Sequence, residues 1–389
     1  MIPCFKSKTL SLVLIFASLL FGSCLKDGVS TIVLESGINN TGIPSDSQAT
    51  PNPSISNPTV SIPNVQYSVE TEGNDVVIRI DMTGIQNPET DEWIRLIGTG
   101  GESGVPQNVW VSVDDKPKGI LVHNTIDDAS GNLNIKNDFV FLVDNSGSMG
   151  DEADAIARDI IQWAQKLNTN LDVRFSCVGY NGLITGAMNL TSYENLSDYL
   201  NRSSGTDRTF GFAGDDADAL YAAKSAYDLS SQVECGTAAL RFADENFTFR
   251  TGANRIYVNF TDEPNSPHGK SGFSVTYVSS QSNWSTGQGT IHTVYSDIDY
   301  VDFEEVPDEF EKPWRMSEYT GGTILYASSD FTGVSLDNLP VTKAMQNSYV
   351  IRFTNVSEFM DGQYHKVKIT VKSEDGAVKA EKVFDMIFG

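Results

Sequence analysis

The spacing of apolar residues changes twice along the chain. From residue 61 to about 135 they fall in short stretches. Val76-Val77-Ile78-Arg79-Ile80-Asp81-Met82 is largely β-branched, while Trp93-Ile94-Arg95-Leu96-Ile97 and Val109-Trp110-Val111-Ser112-Val113 partly alternate. Gly84, Pro88, Gly98, Gly100, Gly101 and Pro106 punctuate them, and no 3.6-residue period runs through the segment, which predicts strands. At Asp138 the pattern changes. Phe139-Val140-Phe141-Leu142-Val143 is continuously apolar, as in a strand covered on both faces. Ala153, Ile156, Ala157, Ile160, Ala164 and Leu167 then share one helical stripe. Residues 171–178 predict a second strand and 193–200 and 218–227 two helices. Further strands are expected at 255–260, 290–295 and 323–327. Strands alternating with helices indicate an α/β fold with an open, mostly parallel sheet and helices on both faces.

From residue 348 strands return without helices, at 349–353 and 364–371. Glu374-Asp375-Gly376 reads as a hairpin turn and 377–386 as its return strand. This tail has too few strands for a sandwich of its own. Residues 61–135 and 341–389 are therefore expected to complete one β-sandwich-like domain into which residues 136–340 are inserted; two independent β modules are the alternative.

The N-terminus predicts export. Lys6 and Lys8 precede largely apolar residues 10–21, a stretch too short to span a bilayer. It ends in Phe21-Gly22-Ser23-Cys24, which resembles a bacterial lipobox. Residues 1–23 then form a signal peptide, and lipidation of Cys24 would anchor the protein in the bacterial cell envelope, on the outer membrane and exposed at the surface. The alternative is an ordinary secretory signal with Cys24 a bystander. Residues 24–60, rich in Ser, Asn, Thr and Pro (Pro44, Pro51, Pro53, Pro58), are expected to be a disordered tether. No second apolar run of membrane-spanning length follows, so the lipid is the expected membrane contact.

Composition narrows the function. The 389 residues are 40% apolar and carry a formal net charge of −24. Such a chain can bury a real core, and its acidity argues against nucleic acid or an anionic membrane surface as partner. Four histidines (His123, His268, His292, His365) and no HExxH motif argue against a histidine-built zinc hydrolase. Neither a GxSxG elbow nor a GxxxxGK[ST] loop is present, and no enzyme is expected. Cys177 lies in an apolar stretch, where a free cysteine packs well; a bridge to Cys235 depends on geometry that sequence does not supply.

The chemistry concentrates in Asp144-Asn145-Ser146-Gly147-Ser148-Met149, directly after the first buried strand. Ligands of open α/β sheets bind beyond the carboxyl ends of strands. There Asp144, Ser146 and Ser148 offer one carboxylate and two hydroxyls. Thr261-Asp262 brings a second carboxylate to an equivalent place after the strand ending at Phe260. An all-oxygen set suits a hard divalent cation rather than zinc.

Asp-x-Ser-x-Ser after an apolar strand, with Thr-Asp after a later one, resembles the von Willebrand factor type A (vWA) domain and its metal-ion-dependent adhesion site. The likeness covers roughly residues 138–340, including Glu318-Tyr319-Thr320-Gly321-Gly322, which is similar to the family's last helix running into its last strand. It implies Mg²⁺ or Mn²⁺ on Asp144, Ser146, Ser148 and Asp262, with one coordination position open to a carboxylate of a partner protein. The family's further ligand is usually a Thr. Gly214-Asp215-Asp216-Ala217-Asp218-Ala219-Leu220 is instead similar to the integrin β-subunit variant, which would give Asp218 that role and Asp215 a neighbouring site; Thr206 and Thr209 are alternatives. Asp151 and Glu152 stand where that variant holds an adjacent Ca²⁺, or else they simply complement a helix dipole. The implied function is a surface-anchored adhesion or recognition protein. A structural or tip component of a fimbria-like assembly is the second reading, ahead of a hydrolase.

Overall fold

An interior strand of the β domain comes from near the C-terminal end of the chain. The computed structural model describes residues 31–33, 42–72, 75–127, 135–150, 152–230, 233–296, 310–328, 330–331 and 335–388. Tyr349–Phe353 runs antiparallel between Asp75–Met82 and Leu121–Asn124, with Ile351 opposite Ile80 on one side and Val122 on the other. Strand alternation puts Tyr349, Ile351 and Phe353 on one face. They pack with Ile78, Ile80 and Met82 against Val109, Val111, Val367 and Ile369 of a second sheet. That sheet is ordered Lys379–Ile387, Tyr364–Lys372, Val109–Val113, Lys116–Lys118. Both sheets thus mix strands from either side of the α/β segment, and the two β stretches form one sandwich. The last strand pairs along its whole length with Tyr364–Lys372 and buries Phe384 and Met386, so it is already spent within its own sheet.

The expected signal peptide, Cys24 and most of residues 24–41 lie outside the described residues. The expectation of a disordered tether does not hold for residues 42–60, which lie along the sandwich. Asp46 accepts hydrogen bonds from Lys118 Nζ (2.5 Å) and the Gly119 N–H (2.9 Å). Thr50 accepts from Trp110 Nε1, Asn52 donates to Thr370 Oγ1, and Thr59 exchanges bonds with Lys379. Gly119 is required at this crossing, because a Cβ would sit 2.3 Å from the Pro44 carbonyl oxygen. The segment is held by polar contacts rather than an apolar stripe, so hydrophobic periodicity carries no trace of it.

In the α/β domain, β1 (Lys136–Asp144), β2 (Asp172–Tyr180), β3 (Ile184–Thr191), β4 (Gly211–Ala213), β5 (Asn254–Thr261), β6 (Thr290–Tyr295) and β7 (Ile324–Tyr326) form one seven-stranded mixed sheet. Its order is β4-β3-β2-β1-β5-β6-β7, and every pairing is parallel except β2 with β3. The continuous apolar run of β1 has a direct cause. Phe139, Phe141 and Val143 pack under α1 (Ala153–Asn170) and α2 (Tyr193–Asn201). Val140 and Leu142 pack on the other face, under α4 (Gly236–Asn246), ahead of which the short α3 (Ala217–Ala223) lies beside the edge strands. β3, β4 and α4 were not legible as elements. Ile184–Thr191 holds Gly186 and Ala187 instead of β-branched residues, and α4 opens on a glycine.

Cys177 and Cys235 are free and buried, and burial pushes both thiols up to about 12. Among the described residues no helix is long and apolar enough to cross a membrane. The sandwich meets the α/β domain through Asn64, whose N–H donates to Thr290 Oγ1 (3.1 Å) and whose Nδ2 donates to the Gly289 carbonyl (2.8 Å). Those residues lie at the start of β6. The sandwich therefore abuts the end of the sheet opposite to that where β1 and β5 finish.

The Asp46–Lys118 contact predicts a measurable penalty. The Lys118 side chain is 2% exposed, and removing its partner strands a buried ammonium. Asp46→Ala should cost about 3 kcal/mol, read from urea unfolding, whereas Asp46→Ala combined with Lys118→Met should recover most of it. Equal loss in both variants would show that the charge pair is not the cause.

Candidate metal centre

Parallel pairing assembles the centre. Val143 lies opposite Phe260 in the β1–β5 register, so the next residues, Asp144 and Thr261, emerge side by side at the carboxyl end of the sheet. Asp144 Oδ1 accepts the Ser146 N–H (2.9 Å), which closes a tight turn, and Oδ2 accepts the Thr261 hydroxyl (2.8 Å). Ser146 Oγ lies 3.0 Å from Ser148 Oγ, which in turn donates to Asp262 Oδ1 (3.2 Å). Asp144, Ser146, Ser148 and Asp262 are thus one connected set of oxygens. Met149 is fully buried in the core beneath the turn and anchors it. Asp144, Ser146 and Asp262 are buried and Ser148 is exposed, so the set opens to solvent at Ser148.

The electrostatics are those of a site short of positive charge. Burial pushes the Asp144 carboxyl up to about 8, and the charges of Asp262 and Glu234 add to this against the hydrogen bonds from Ser146 and Thr261. Glu234 is itself raised by burial and by Asp262. The donor chemistry fits a hard divalent cation: every donor is oxygen, and a buried carboxylate beside others is held back from ionising.

Glu234 was not singled out in the sequence. It precedes α4, and the Ser266 N–H donates to its carbonyl (2.7 Å), which ties it to the loop after Asp262. α4 reaches the sheet because it begins at Gly236, where a Cβ would lie 2.9 Å from Asn259 Oδ1. The available signal was an acid directly ahead of an Ala-rich helix. Thr209 is the other neighbour. Its hydroxyl accepts from Asn145 Nδ2 (3.0 Å), which also donates to Thr185 Oγ1 (2.6 Å). The Thr209 carbonyl lies so close over β2 and β3 that a Cβ on Gly179 or Gly186 would come within 2.4 and 2.1 Å of it. Thr206 lies earlier in the same 3₁₀ segment.

The assignments of Asp215 and Asp218 need correction. β4 runs parallel to β3, and β3 is antiparallel to β2. Residues after β4 therefore lie where β1 and β2 begin, at the opposite end of the sheet from Asp144. Asp215 lines a cavity there with Thr191 and Thr248. Asp218 lies on α3 along the outer edge, in a separate pocket with Phe210 and Tyr221. Asp151 lies outside the described residues. Glu152 is buried and accepts from Ser296 Oγ (3.0 Å) after β6, so it points inward and not to solvent on the first turn of α1. Among the described residues no group of three or more His, Cys, Asp or Glu is arranged to hold a metal; the oxygen set depends on its hydroxyls.

The folded state raises the Asp144 carboxyl from 3.8 to about 8, so ionising it opposes folding. The associated stability is intact below about pH 4 and is lost as pH rises towards 8. Chelated protein should melt at falling temperature between pH 5 and 8, and Asp144→Asn should flatten that slope. A slope unchanged by the substitution would assign it to another group.

No family model matches the chain, and no curated protein matches it. Solved structures with partial similarity include an adhesive tip pilin of Streptococcus agalactiae (17% identity, TM-score 0.23, 34% of this chain and 46% of that one). Another is proximal thread matrix protein 1 of the mussel byssus (13% identity, TM-score 0.32, 59% and 49%). A third is the manganese-loaded TRAP protein of Plasmodium vivax (10% identity, TM-score 0.32, 70% and 98%). The chain thus spans about half the length of the first two.

Proposed function

We propose that this protein is a recognition module that binds a carboxylate of a partner protein through a divalent cation, Mg²⁺ or Mn²⁺, held by Asp144, Ser146, Ser148 and Asp262, with the charge of Glu234 acting on the site from outside that set. The observation that carries the reading is the connected oxygen set that closes on itself at the end of two parallel strands and opens to solvent at Ser148. A bound cation supplies positive charge that a partner's carboxylate can reach in place of water. The chain's own part is to hold the donors in place: the Thr261 hydroxyl and the Ser146 N–H orient Asp144, Ser148 orients Asp262, and Asn145 braces the loop on Thr185 and Thr209. An adjacent Ca²⁺ would fall beside Glu152, which accepts a hydrogen bond from Ser296. The reading is one of binding rather than catalysis, at a bacterial cell surface, with the membrane engaged only through lipid on Cys24. The end of the sheet that bears the set lies opposite the contact with the sandwich through Asn64.

Mg²⁺ at a hundredfold excess over its Kd should stabilise the native protein by about 2.7 kcal/mol, visible as a rise in melting temperature that EDTA reverses. Asp144→Ala should show no such rise, and identical responses of the two proteins would refute the coordination. By calorimetry, Glu234→Gln should weaken Mg²⁺ binding several-fold whereas Asp215→Asn should leave it unchanged; the reverse pattern would restore the acidic turn after β4 as the ligand source.

A further inference from the structure

Behind Asp144, on the face of the sheet that α4 covers, lie buried polar side chains that are not themselves candidate ligands. Tyr180 stands opposite Asp144 in the β1–β2 register. Its hydroxyl donates to Asn259 Oδ1 on β5 (2.8 Å) and also interacts with Thr261. The Thr261 hydroxyl in turn donates to Asp144 Oδ2 (2.8 Å). Tyr180 and Asn259 are 1% and 0% exposed, and burial with the nearby Asp144 charge keeps the Tyr180 phenol protonated. A phenol has one proton to give. Spent on Asn259, that proton is not available to Thr261. The Asn259 Nδ2 is then also buried without a hydrogen-bond partner, and a buried donor left unmatched is costly.

An asparagine amide has a second orientation of nearly the same shape, with oxygen and nitrogen exchanged. In it Nδ2 donates to the Tyr180 oxygen, which frees the phenol proton for Thr261. The Asn259 oxygen then takes the place beside Gly236, where a Cβ would lie 3.0 Å from it. Gly236 opens α4, and the Cys235 side chain caps none of that helix's first N–H groups. Those groups have no acceptor within the helix, so an oxygen suits the place better than an amino group. We infer that Asn259 works in this second orientation, and that Asn259, Tyr180 and Thr261 form a relay of donors ending on Asp144. Every bond then runs the same way: amide to phenol, phenol to hydroxyl, hydroxyl to carboxylate. Bonds aligned in one direction strengthen one another, and donors aimed at a carboxylate favour the ionised form that a cation needs. Tyr180 and Asn259 are thus positioning residues rather than ligands. Their effect on affinity rests on the cation reading above, whereas the order of the donors does not.

Neutron diffraction from crystals of the full chain, grown with Mg²⁺ in heavy water, locates the deuterons directly. The Asn259 Nδ2 deuterons should point to the Tyr180 oxygen, and the Tyr180 deuteron to Thr261. A Tyr180 deuteron on Asn259, with Nδ2 towards Gly236, would overturn the relay. Calorimetry with Mg²⁺ then tests its effect on the site. Tyr180→Phe removes the middle donor and should weaken Mg²⁺ binding about fivefold, the size of one hydrogen bond. Tyr257→Phe removes a hydroxyl from an equally buried tyrosine on the same face, two residues before Asn259; its affinity should stay within twofold of native. Equal weakening in both variants would mean a general loosening of the core, and unchanged affinity in Tyr180→Phe would mean that Tyr180 does not position Asp144; either result overturns the inference. A native chain that binds no Mg²⁺ sinks the cation reading, and the deuteron positions then decide the relay by themselves.

Discussion

The centre depends on one constraint: β1 and β5 are parallel neighbours that finish level with each other. Because Val143 faces Phe260, Asp144 and Thr261 must leave the sheet together, and the hydrogen bond between them joins two loops that are 117 residues apart in the chain. A one-residue slip in that register would turn every side chain of β5 to the opposite face and separate the carboxylates. The apolar content of β1 is what makes such a slip costly. Phe139 and Phe141 are committed to the α1 side, and Val140 and Leu142 to the α4 side.

Around that constraint the chain concentrates negative charge where the fold has removed water. Asp144 is buried, Asp262 and Glu234 act on it, and the donors that face it are an amide and a hydroxyl. The arrangement is tolerable for an isolated protein only if protons or a cation offset the charge. The fold also brings backbone in where side chains would not fit. Gly179, Gly186 and Gly236 each face a contact that a Cβ would obstruct, and those contacts set the positions of Thr209 and of the helix that follows Glu234.

The sandwich presents this surface. Its interior strand Tyr349–Phe353 can pair only after the whole α/β segment has been made, so the inserted domain is closed on itself between two halves of another fold. The junction through Asn64 lies at the start of β6, at the end of the sheet opposite the oxygen set. The polar strap of residues 42–60 crosses the second sheet and the loop beside Lys118, and it occupies positions that would otherwise leave that lysine buried without a carboxylate.

Much of the α/β sheet could be read from the chain because local pattern encodes it. A strand buried on both faces is apolar at every position, an amphipathic helix shows its stripe, and Asp144 through Ser148 with Thr261-Asp262 announces oxygen donors at strand ends. Ile184–Thr191, the helix after Glu234 and the strap escaped, because they are held by close backbone approach and polar contacts that leave no periodic mark. Sequence alone determined which donors exist and on which strands they end. Only the tertiary structure decided which acids share a space: the antiparallel turn of β3 sends Asp215 to the far end of the sheet, while the packing of α4 on Asn259 and the Ser266 bond bring Glu234 to Asp262. Direction of strand travel is a property of pairing between distant segments, and no local spacing of residues records it.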